Sequence, residues 1–557
     1  MKNVICILVL CLISVFGRVA VNDHQDDISN LLIHVQPIKT QQSIINNTNV
    51  EIKNIDNTIH ENLIHENIIN ITITKKTCST HKDVSDNLLD ANHTETTNTS
   101  SNEPCEPEVT VDNGTALILT PYIKEGRLRE AKKASRVDSK HFLGFKSYSG
   151  FLTVNETYNS NLFFWYFPVV NKPVNASPWI IWLQGGPGAS SMTGLFDELG
   201  PFTVINETLK RNPYTWLHNH SLLFIDNPVG TGYSFTDHEE GYTTDMATYS
   251  SHLYSALKQF LQIFPELRTA PLYLAGESYA GKYVPALAME IHKRKDKVGA
   301  DINLEGLIIG NAYVDPDMIS HIAWPFYYFG LLEKEQIETV KPLMDSFQQE
   351  IKANNSIAAK DKWNSLVTVL LFLTHQKHAY NFLRDDLPLG RYMNFLKTSE
   401  VKRAIHVGDI KFGWVNMTVN VRLAPDFLSS TKPVFERLLE HYKVLAYCGQ
   451  MDTMLPCVST SENYRTWRWN GSQEFLHSTR FPYIYNNKLS GYHKTGGHFT
   501  EVVIRGAGHM APLDKPGPTQ NLIARWTHDQ PLSRHYGRLE DSFVQEFVRN
   551  NSITNYL

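Results

Sequence analysis

The 557-residue chain has only six cysteines, little excess of either charge and, after residue 16, no long hydrophobic run. Because a membrane-spanning helix needs about 20 predominantly apolar residues, we expect no membrane anchor in the mature protein. The net charge is −5, and no basic stripe, zinc-finger spacing or phosphate-binding loop is present, which argues against nucleic-acid and nucleotide binding. No Cys-x-x-Cys motif or histidine pair lies near the cysteines, so we expect neither a metal nor a cofactor.

The one apolar run stands at the amino terminus. Residues 1–3 carry a lysine, residues 4–16 are apolar and residues 17–20 end in small side chains, a pattern typical of a secretory signal peptide over residues 1–20. We therefore expect a protein of the secretory pathway, either secreted or lysosomal and vesicular. The glycosylation pattern Asn-x-Ser/Thr recurs and agrees with that route. The candidate acceptors are Asn92, Asn113, Asn155, Asn175, Asn206, Asn416 and Asn470.

Four cysteines remain outside the signal peptide, and four allow three pairings in an oxidising compartment. We predict that Cys448 pairs with Cys457, which closes a loop just after an apolar run. We predict a second bridge between Cys78 and Cys105. The alternative is that some of the four are free and buried.

Residues 21–110 differ in composition from the rest of the chain. They are rich in Asn, Ile, Thr and His, and they show no sustained helical or strand periodicity. This composition predicts a pro-segment or a disordered leader, with an independent small domain as the alternative. The main domain is then expected over residues 111–557. Near its start, residues 124–137 form a basic, helix-prone stretch that is either a solvated helix or a processing site.

The most informative stretch reads Gly-Glu-Ser-Tyr-Ala-Gly at residues 276–281, directly after the apolar run 270–275. A strand that ends in such a tight turn presents the central serine, Ser278, as a nucleophile elbow does. The small residues around it are needed because the turn between strand and helix leaves no room for bulky side chains.

Two later segments supply partners for that serine, in the chain order Ser, Asp, His. Residues 444–448 are apolar and lead through a glycine to Asp452, and a β-branched run at 499–504 leads into a Gly-Ala-Gly loop with His509. His509 is predicted as the general base and Asp452 as the residue that orients its ring. The apolar run 179–183 ends in a glycine-rich turn at 185–188, whose backbone N–H groups are candidates for an oxyanion hole.

These segments, with Asp-Asn-Pro-Val-Gly-Thr-Gly-Tyr-Ser at 226–234 and Gly-Asn-Ala-Tyr-Val-Asp-Pro at 310–316, resemble those of the serine carboxypeptidases, in the family's order. The resemblance runs from about residue 142 to about residue 532. Within the family, the sequence is most similar to the vitellogenic carboxypeptidase and its animal relatives. Gln184 stands where cathepsin A and the yeast and plant enzymes have asparagine.

The resemblance implies a role for seven residues. Ser278 would be the nucleophile, Asp452 the orienting carboxylate and His509 the base. Gly186 and Tyr279 would supply the two N–H groups of the oxyanion hole. Gln184 and Glu277 would bind the terminal carboxylate of the peptide. Because two carboxyl groups share a hydrogen bond only when one is protonated, Glu277 must hold a proton, and activity is expected to be best in acid.

Two departures from the family pattern stand out. Gln184 keeps the amide donor of asparagine but is one methylene longer. Many family members have a disulfide-bonded cysteine where Ala189 stands, so whatever steadies the glycine-rich turn here must be non-covalent. Some relatives dimerise, which makes a homodimer possible.

We expect an α/β-hydrolase fold with a mostly parallel central sheet. Strands are predicted over residues 144–154, 161–168 and 304–309, and an amphipathic helix over 244–264. A helical cap insertion is expected at about 316–396, with helices at 333–354 and 360–383. An aromatic run at 324–329 either lines an apolar subsite or, more commonly for such runs, packs in the interior.

Three functional hypotheses follow. The first is a carboxypeptidase that acts in acid through an acyl-enzyme on peptides with a free C-terminus. The second is an esterase or acyltransferase on the same scaffold. The third is an inactive secreted binding protein, against which the intact Ser278, Asp452 and His509 argue.

Overall fold

A computed structural model of the chain describes residues 113–295 and 302–532, together with two short strands nearer the amino terminus. The strands are β1 Leu32–Pro37, β2 Ile69–Thr74, β3 Arg136–Val137, β4 Ser147–Asn155, β5 Ser160–Phe167, β6 Trp179–Leu183, β7 Phe202–Ile205, β8 Thr208–Arg211, β9 Ser221–Ile225, β10 Leu272–Glu277, β11 Leu304–Gly310, β12 Lys443–Gly449, β13 Phe481–Tyr485, β14 Lys488–Gly496 and β15 Phe499–Ile504. The α-helices are Thr120–Lys124, Leu128–Ala134, Met246–Ile263, Ala280–His292, Ala323–Tyr328, Lys334–Lys352, Ser356–Leu373, Met393–Lys397, Ser399–Ala404, Met417–Arg422, Lys432–Leu438, Cys457–Tyr464, Ser472–His477, Ala511–Asp514 and Pro516–Thr527.

One large sheet carries the main domain. Its strand order is β13-β14-β15-β12-β11-β10-β6-β9-β5-β4-β3. The six central strands, from β15 to β9, run parallel to one another, and the strands at both edges are antiparallel. The predicted α/β class with a mostly parallel sheet is therefore confirmed. All carboxyl ends of the central strands meet at one edge, where ligands bind in open α/β sheets.

The central strands are apolar because both faces of the sheet are covered. Every residue of β6, β9, β10 and β15 is buried. One core lies between the sheet and the helices Met246–Ile263 and Ala280–His292, and a second lies on the opposite face. Parallel strands buried on both faces are expected to be largely hydrophobic, which holds for β6, for most of β9 and for β10 before its final Glu277, whereas β15 includes the buried polar residues Thr500 and Glu501.

The predicted elements of the main domain have close counterparts. The helix expected at 244–264 is Met246–Ile263, and its apolar face is buried. The strands expected at 144–154, 161–168 and 304–309 are β4, β5 and β11. The basic stretch 124–137 forms no single helix, because Gly126 has a φ of 72° and separates two short helices there.

The insertion between β11 and β12 is helical, as predicted. The helix expected at 333–354 is Lys334–Lys352. The helix expected at 360–383 is wrong in both bounds, since it begins at Ser356 and ends at Leu373. It ends there because His375 adopts a left-handed conformation, with a φ of 53°. The chain that follows forms turns and bends and packs against other loops, as described below.

Within the separate unit of residues 18–108, the structure describes only β1 and β2, which pair antiparallel with Leu32 opposite Thr74. These two strands were not predicted from the sequence. Whether residues 21–110 are a pro-segment stays a prediction. Along the described ranges of the chain, no helix has the length and apolar character that crossing a membrane requires.

Candidate active site

Ser278 lies at the sharp turn between β10 and the helix Ala280–His292. Its φ is 61°, a left-handed conformation that non-glycine residues adopt only where the surroundings enforce it. The enforcement is visible in two hydrogen bonds. The Ser278 N–H donates to the Gly310 carbonyl at 3.0 Å, and the Tyr313 N–H donates to the Ser278 carbonyl at 2.9 Å. The turn holds the half-buried Ser278 at the carboxyl edge of the sheet, as a nucleophile elbow requires.

His509 and Asp452 form a buried pair beside this edge. The distance from His509 Nδ1 to Asp452 Oδ2 is 2.7 Å, and both side chains are almost fully buried. Because a carboxylate only accepts, Nδ1 is the protonated ring nitrogen and Nε2 is the basic one. Such a pair is able to take a proton from a neighbouring hydroxyl at Nε2.

Strand order brings these residues together. Ser278 follows β10, Asp452 follows β12 and His509 follows β15, and these strands lie close together in the parallel part of the sheet. The loops after β12 and β15 touch at the backbone, because a Cβ added to Gly449 would lie 1.8 Å from the Gly508 carbonyl oxygen.

Asp452 is fixed by donors from three directions. Its Oδ2 also accepts from Asn311 Nδ2 at 2.7 Å, and its Oδ1 accepts from the backbone N–H groups of Met454 and Leu455 at 2.8 and 3.2 Å. Asn311 in turn accepts from the Gly449 N–H at 3.0 Å. Together these donors hold the buried Asp452 carboxylate in one orientation. Sequence analysis assigned Asn311 no role, although its place directly after β11 is a usable signal.

An irregular segment of the insertion, residues 379–382, ties the two loops to each other. The Ala379 carbonyl accepts from Thr453, and the Phe382 N–H donates to the Met451 carbonyl, so the segment grips the Asp452 loop on both sides. The Tyr380 carbonyl accepts from the His509 N–H at 2.6 Å. This segment is the part of the chain that was wrongly predicted to be helical.

The glycine-rich turn after β6 packs directly against the elbow. A Cβ added to Gly185 would lie 2.5 Å from the Tyr279 nitrogen and 2.6 Å from the Glu277 carbonyl oxygen, so only glycine fits there. Gly186 has a φ of 107°, which a side chain disfavours. The backbones that carry the two predicted oxyanion donors, Gly186 and Tyr279, are therefore held in contact.

Gln184 and Glu277 meet beneath this turn, together with a third residue. Gln184 Nε2 donates to Glu277 Oε1 at 3.0 Å and to Glu198 Oε1 at 3.3 Å, and Gln184 Oε1 accepts from Trp182 Nε1 at 2.9 Å. All three polar side chains are buried. Glu198 lies in the π-helical turn Gly194–Glu198. Sequence analysis missed Glu198, because no local pattern links it to Glu277, 79 positions later in the chain.

Glu198 and Glu277 hydrogen-bond to each other, so one of them must hold a proton. Burial, reinforced by the neighbouring charge of Glu198, raises the pKa of Glu277 well above its usual range. Burial also raises the pKa of Glu198, to about 7, against hydrogen bonds from Glu277 and Gln184 that lower it. The site therefore holds protonated carboxyl groups in acid, as the sequence analysis required of Glu277.

A buried charged network supports the other side of Tyr279. The Tyr279 hydroxyl donates to Asp426 Oδ2 at 2.8 Å, and Lys282 Nζ lies 3.7 Å from the same oxygen. Lys282 also donates to the Phe427 carbonyl at 2.9 Å and has no exposed surface. Burial lowers the pKa of Lys282 to about 8, against the opposing effect of Asp426. This network anchors the first turn of the helix that follows the nucleophile.

The predicted bridge between Cys448 and Cys457 is present, with Cα atoms 5.7 Å apart. It closes the loop that carries Asp452. The second predicted bridge, between Cys78 and Cys105, lies outside the described residues. Among the described residues, no group of three or more His, Cys, Asp or Glu side chains has the geometry of a metal site.

The aromatic run at 324–329 is split between two environments. Phe326 is buried, whereas Tyr327 and Tyr328 are 38% and 67% exposed. Phe329 contacts Phe382 with ring centroids 4.9 Å apart, which places the run beside the segment that grips the triad loops. A role of its exposed tyrosines in a substrate subsite stays a prediction.

Comparison with known proteins bears on this geometry. A family model described as serine carboxypeptidase matches residues 137–529. The chain belongs to the serine carboxypeptidase family. It is 39% identical over 431 residues to the venom serine carboxypeptidase of Apis mellifera, covering 75% of this chain and 92% of that protein. It is 36% identical over 434 residues to the vitellogenic carboxypeptidase of Aedes aegypti, covering 76% and 92%.

Among solved structures, the chain is similar to the prohormone-processing carboxypeptidase Kex1(Δ)p from Saccharomyces cerevisiae. That likeness has a TM-score of 0.65 at 24% identity and covers 73% of this chain and 98% of the other. It confirms the fold of a serine carboxypeptidase on an α/β-hydrolase sheet. The similarity to the vitellogenic carboxypeptidase and other animal enzymes, inferred from the sequence, is confirmed as well.

The glycosylation candidates differ in their surroundings. Asn175, Asn206 and Asn470 are exposed, while Asn113, Asn155 and Asn416 are half-buried. Three of the side-chain amides are already used as hydrogen-bond donors: Asn113 Nδ2 donates to Asp409, Asn416 Nδ2 to the Gly230 carbonyl and Asn470 Nδ2 to Glu440. Asn92 lies outside the described residues. Glycosylation at each position stays a prediction, and the three exposed acceptors are the more accessible.

Proposed function

We propose that this serine carboxypeptidase releases C-terminal amino acids from peptides through an acyl-enzyme, and that it works best in acid. The observation that carries the proposal is the joint placement of two clusters at one sheet edge. One is the elbow of Ser278 with the buried His509–Asp452 pair. The other is the buried group of Gln184, Glu277 and Glu198 directly beside it.

The chemistry follows from the hydrogen bonds. His509 Nε2 takes the proton of Ser278 as its oxygen attacks the scissile carbonyl, while Asp452 stabilises the ring at Nδ1. The backbone N–H groups of Gly186 and Tyr279 then receive the negative oxygen of the tetrahedral intermediate. The proton returns from His509 to the leaving amine. Water repeats the sequence and frees the acid.

The acid preference follows from the carboxyl pair. A peptide carboxylate is accepted next to Gln184 only if Glu277 donates a proton to it, since two ionised carboxylates repel each other. A protonated Glu277 therefore recognises a free C-terminus, because an amidated or internal residue has no carboxylate to accept its proton. This is the feature that favours a carboxypeptidase over an esterase or acyltransferase on the same scaffold.

We propose passage through the secretory pathway, with removal of residues 1–20 as a signal peptide. The bridge between Cys448 and Cys457 supports this route, because disulfides persist in oxidising compartments. Whether the protein is then secreted or stored in vesicles, and whether it forms a homodimer, are separate questions for cell fractionation and size-exclusion chromatography.

The test is release of the C-terminal amino acid from an N-blocked dipeptide at pH 5 and pH 7.5, comparing the wild type with Ser278→Ala. We expect release that is faster in acid and absent from the variant. Equal cleavage of the C-terminally amidated dipeptide would contradict recognition of the free carboxylate. No release from any free-acid peptide, with an ester still cleaved, would favour the esterase or acyltransferase hypothesis.

A further inference from the structure

The turn that carries Gly186 contacts a segment of the insertion, residues 413–416, to which the catalytic scheme assigns no role. Residues 413–416 run antiparallel to residues 188–190 of the turn. The Ser190 N–H donates to the Trp414 carbonyl at 3.0 Å, and the Asn416 N–H donates to the Gly188 carbonyl at 2.9 Å. Ala189 and Val415 face each other between these two bonds.

Asn416 extends this pairing through its side chain. Nδ2 donates to the Gly230 carbonyl at 2.7 Å, in the loop that follows β9. Oδ1 accepts from the N–H groups of Thr418 and Val419 at 2.8 and 3.4 Å and so caps the helix Met417–Arg422. Asn416 therefore joins three segments: its backbone N–H bonds to the turn, and the two ends of its side-chain amide bond to the β9 loop and to a helix of the insertion.

The position of Asn416 is close-packed on the side of the turn. A Cβ added to Gly188 would lie 2.6 Å from the Asn416 carbonyl oxygen and 3.1 Å from Val419 Cβ. The turn is also held by Asp226, whose Oδ1 accepts from Ser190 Oγ at 2.6 Å and from the Ser191 N–H at 2.9 Å. Ala189 carries no sulfur, so the contact with the insertion is entirely non-covalent.

We propose that Asn416 is a positioning residue of the oxyanion hole, which fixes the turn of Gly186 against the β9 loop and the insertion. The inference rests on the proposed function, because it assumes that the Gly186 N–H receives the oxyanion. A donor stabilises the transition state only if it is already aimed at the place where charge develops. Asn416 touches neither substrate nor reacting atoms, so its effect passes through the backbone of the turn.

The expected signature is a loss of kcat with little change in KM. Misplacement of a catalytic group by about 1 Å lowers rates by on the order of 100-fold. Asn416→Asp keeps the capping oxygen but replaces the Nδ2 donor with an oxygen facing the Gly230 carbonyl. We expect its kcat for the N-blocked dipeptide to fall by about 10- to 100-fold, with KM within about twofold of the wild type.

Two controls separate positioning from other effects of the change. Thr418→Ala destroys the glycosylation pattern at Asn416 but keeps the residue and the backbone N–H that it caps, so it should retain wild-type kcat. Asn175→Asp makes the same chemical change at an exposed acceptor and should also retain it. Circular dichroism and the urea midpoint report whether each variant is folded.

A covalent rescue tests the mechanism directly. Ala189 and Val415 lie opposite each other, and the hydrogen bonds on either side are made by their neighbours, so they form a non-hydrogen-bonded antiparallel pair. The Cα atoms of such a pair are about 4.5 Å apart, which lies within the range of disulfides. Ala189→Cys with Val415→Cys in the Asn416→Asp background should restore kcat when oxidised and lose it again on mild reduction. Asn416→Asp alone, treated identically, controls for the bridge of Cys448 and Cys457.

The reaction with a fluorophosphonate supplies a second readout, in which Ser278 Oγ bonds to phosphorus and fluoride leaves. We expect Asn416→Asp to slow this labelling in proportion to kcat. Folded Asn416→Asp and Asn416→Ala with kcat and labelling rates within twofold of the wild type would overturn the proposal, and so would a loss seen only in KM. Wild-type protein that is labelled but releases no amino acid would refute the carboxypeptidase function and leave the labelling test of Asn416 decisive. An unlabelled wild type would refute both.

Discussion

The replacement of Glu198 by glutamine tests how the carboxyl pair makes activity depend on pH. Below about pH 7 both Glu198 and Glu277 hold protons, and the Glu277 hydroxyl is able to donate to a bound peptide carboxylate. As pH rises through the pKa of Glu198, about 7, an anion forms next to Glu277 and competes for its proton. Glu198→Gln keeps the size and hydrogen bonding of the side chain and removes that anion.

The magnitude follows from two contributions. A hydrogen bond to a charged group contributes about 1.5–3 kcal/mol. Two unit charges about 4 Å apart interact by about 4 kcal/mol at an effective dielectric constant of 20. Loss of the donor and onset of repulsion together amount to about 6 kcal/mol, or a factor of about 10⁴ in carboxylate recognition. The loss is spread over pH at no more than tenfold per unit, because one proton is linked to binding.

The assay compares kcat/KM for an N-blocked dipeptide with kcat/KM for its C-terminal amide, from pH 4.5 to pH 9. The ratio cancels the titration of His509 and every other group that acts on both substrates. For the wild type we expect a large ratio in acid that falls by up to tenfold per unit above about pH 7. For Glu198→Gln we expect the fall to begin at higher pH, where Glu277 itself ionises.

Glu277→Gln is the matched control, since its amide donates at every pH. Its ratio should be smaller in acid and should fall less in total above about pH 7, because only the repulsion from the Glu198 anion remains. The reasoning is refuted if the wild-type ratio does not change across pH 7. It is equally refuted if both glutamine variants keep the wild-type slope, because the titrating group would then lie elsewhere.

Three further predictions follow. Asp452→Asn should lower kcat by about 10⁴-fold while leaving KM nearly unchanged, because the ring of His509 loses the carboxylate that fixes its tautomer. Stopped assays at high enzyme concentration would detect the residual activity, and a loss of kcat below tenfold would contradict the role of Asp452. Lys282→Met should lower the free energy of unfolding by about 3–5 kcal/mol in urea titrations, because it leaves Asp426 buried and unpaired, and the double variant with Asp426→Leu should recover part of that loss. Glycopeptide mapping of secreted protein should find Asn206 occupied and Asn416 largely unoccupied, and full occupancy of Asn416 would contradict the structural use of its amide.

The reacting groups could be predicted from sequence because each lies in a short local pattern. Ser278 sits in a turn that only small neighbours permit, and His509 sits in a glycine loop after a β-branched strand. The strands of the parallel sheet were predictable for a related reason, since burial on both faces makes them continuous apolar runs. The bridge between Cys448 and Cys457 was favoured by its position around the Asp452 loop and is confirmed.

The supporting residues could not be predicted in the same way, because their partners are distant in sequence. The role of Glu198 depends on its contact with Glu277 at the end of β10, and the role of Asn311 depends on its hydrogen bond to Asp452. The helix expected at 360–383 failed for a tertiary reason. The chain turns at His375, whose φ is 53°, and residues 379–382 then bond to the loops of Asp452 and His509 instead of continuing the helix.

The insertion between β11 and β12 therefore does more than cover the site. One of its segments, residues 379–382, bonds to the loops of Asp452 and His509, and a second, residues 413–416, bonds to the turn of Gly186. The sheet alone brings the catalytic groups to one edge, but loops at that edge move unless something packs on them. Because these contacts come from outside the recognisable motifs, substitutions in the two segments should change kcat more than they change stability, and enzymes with the same motifs but different insertions should differ most in rate.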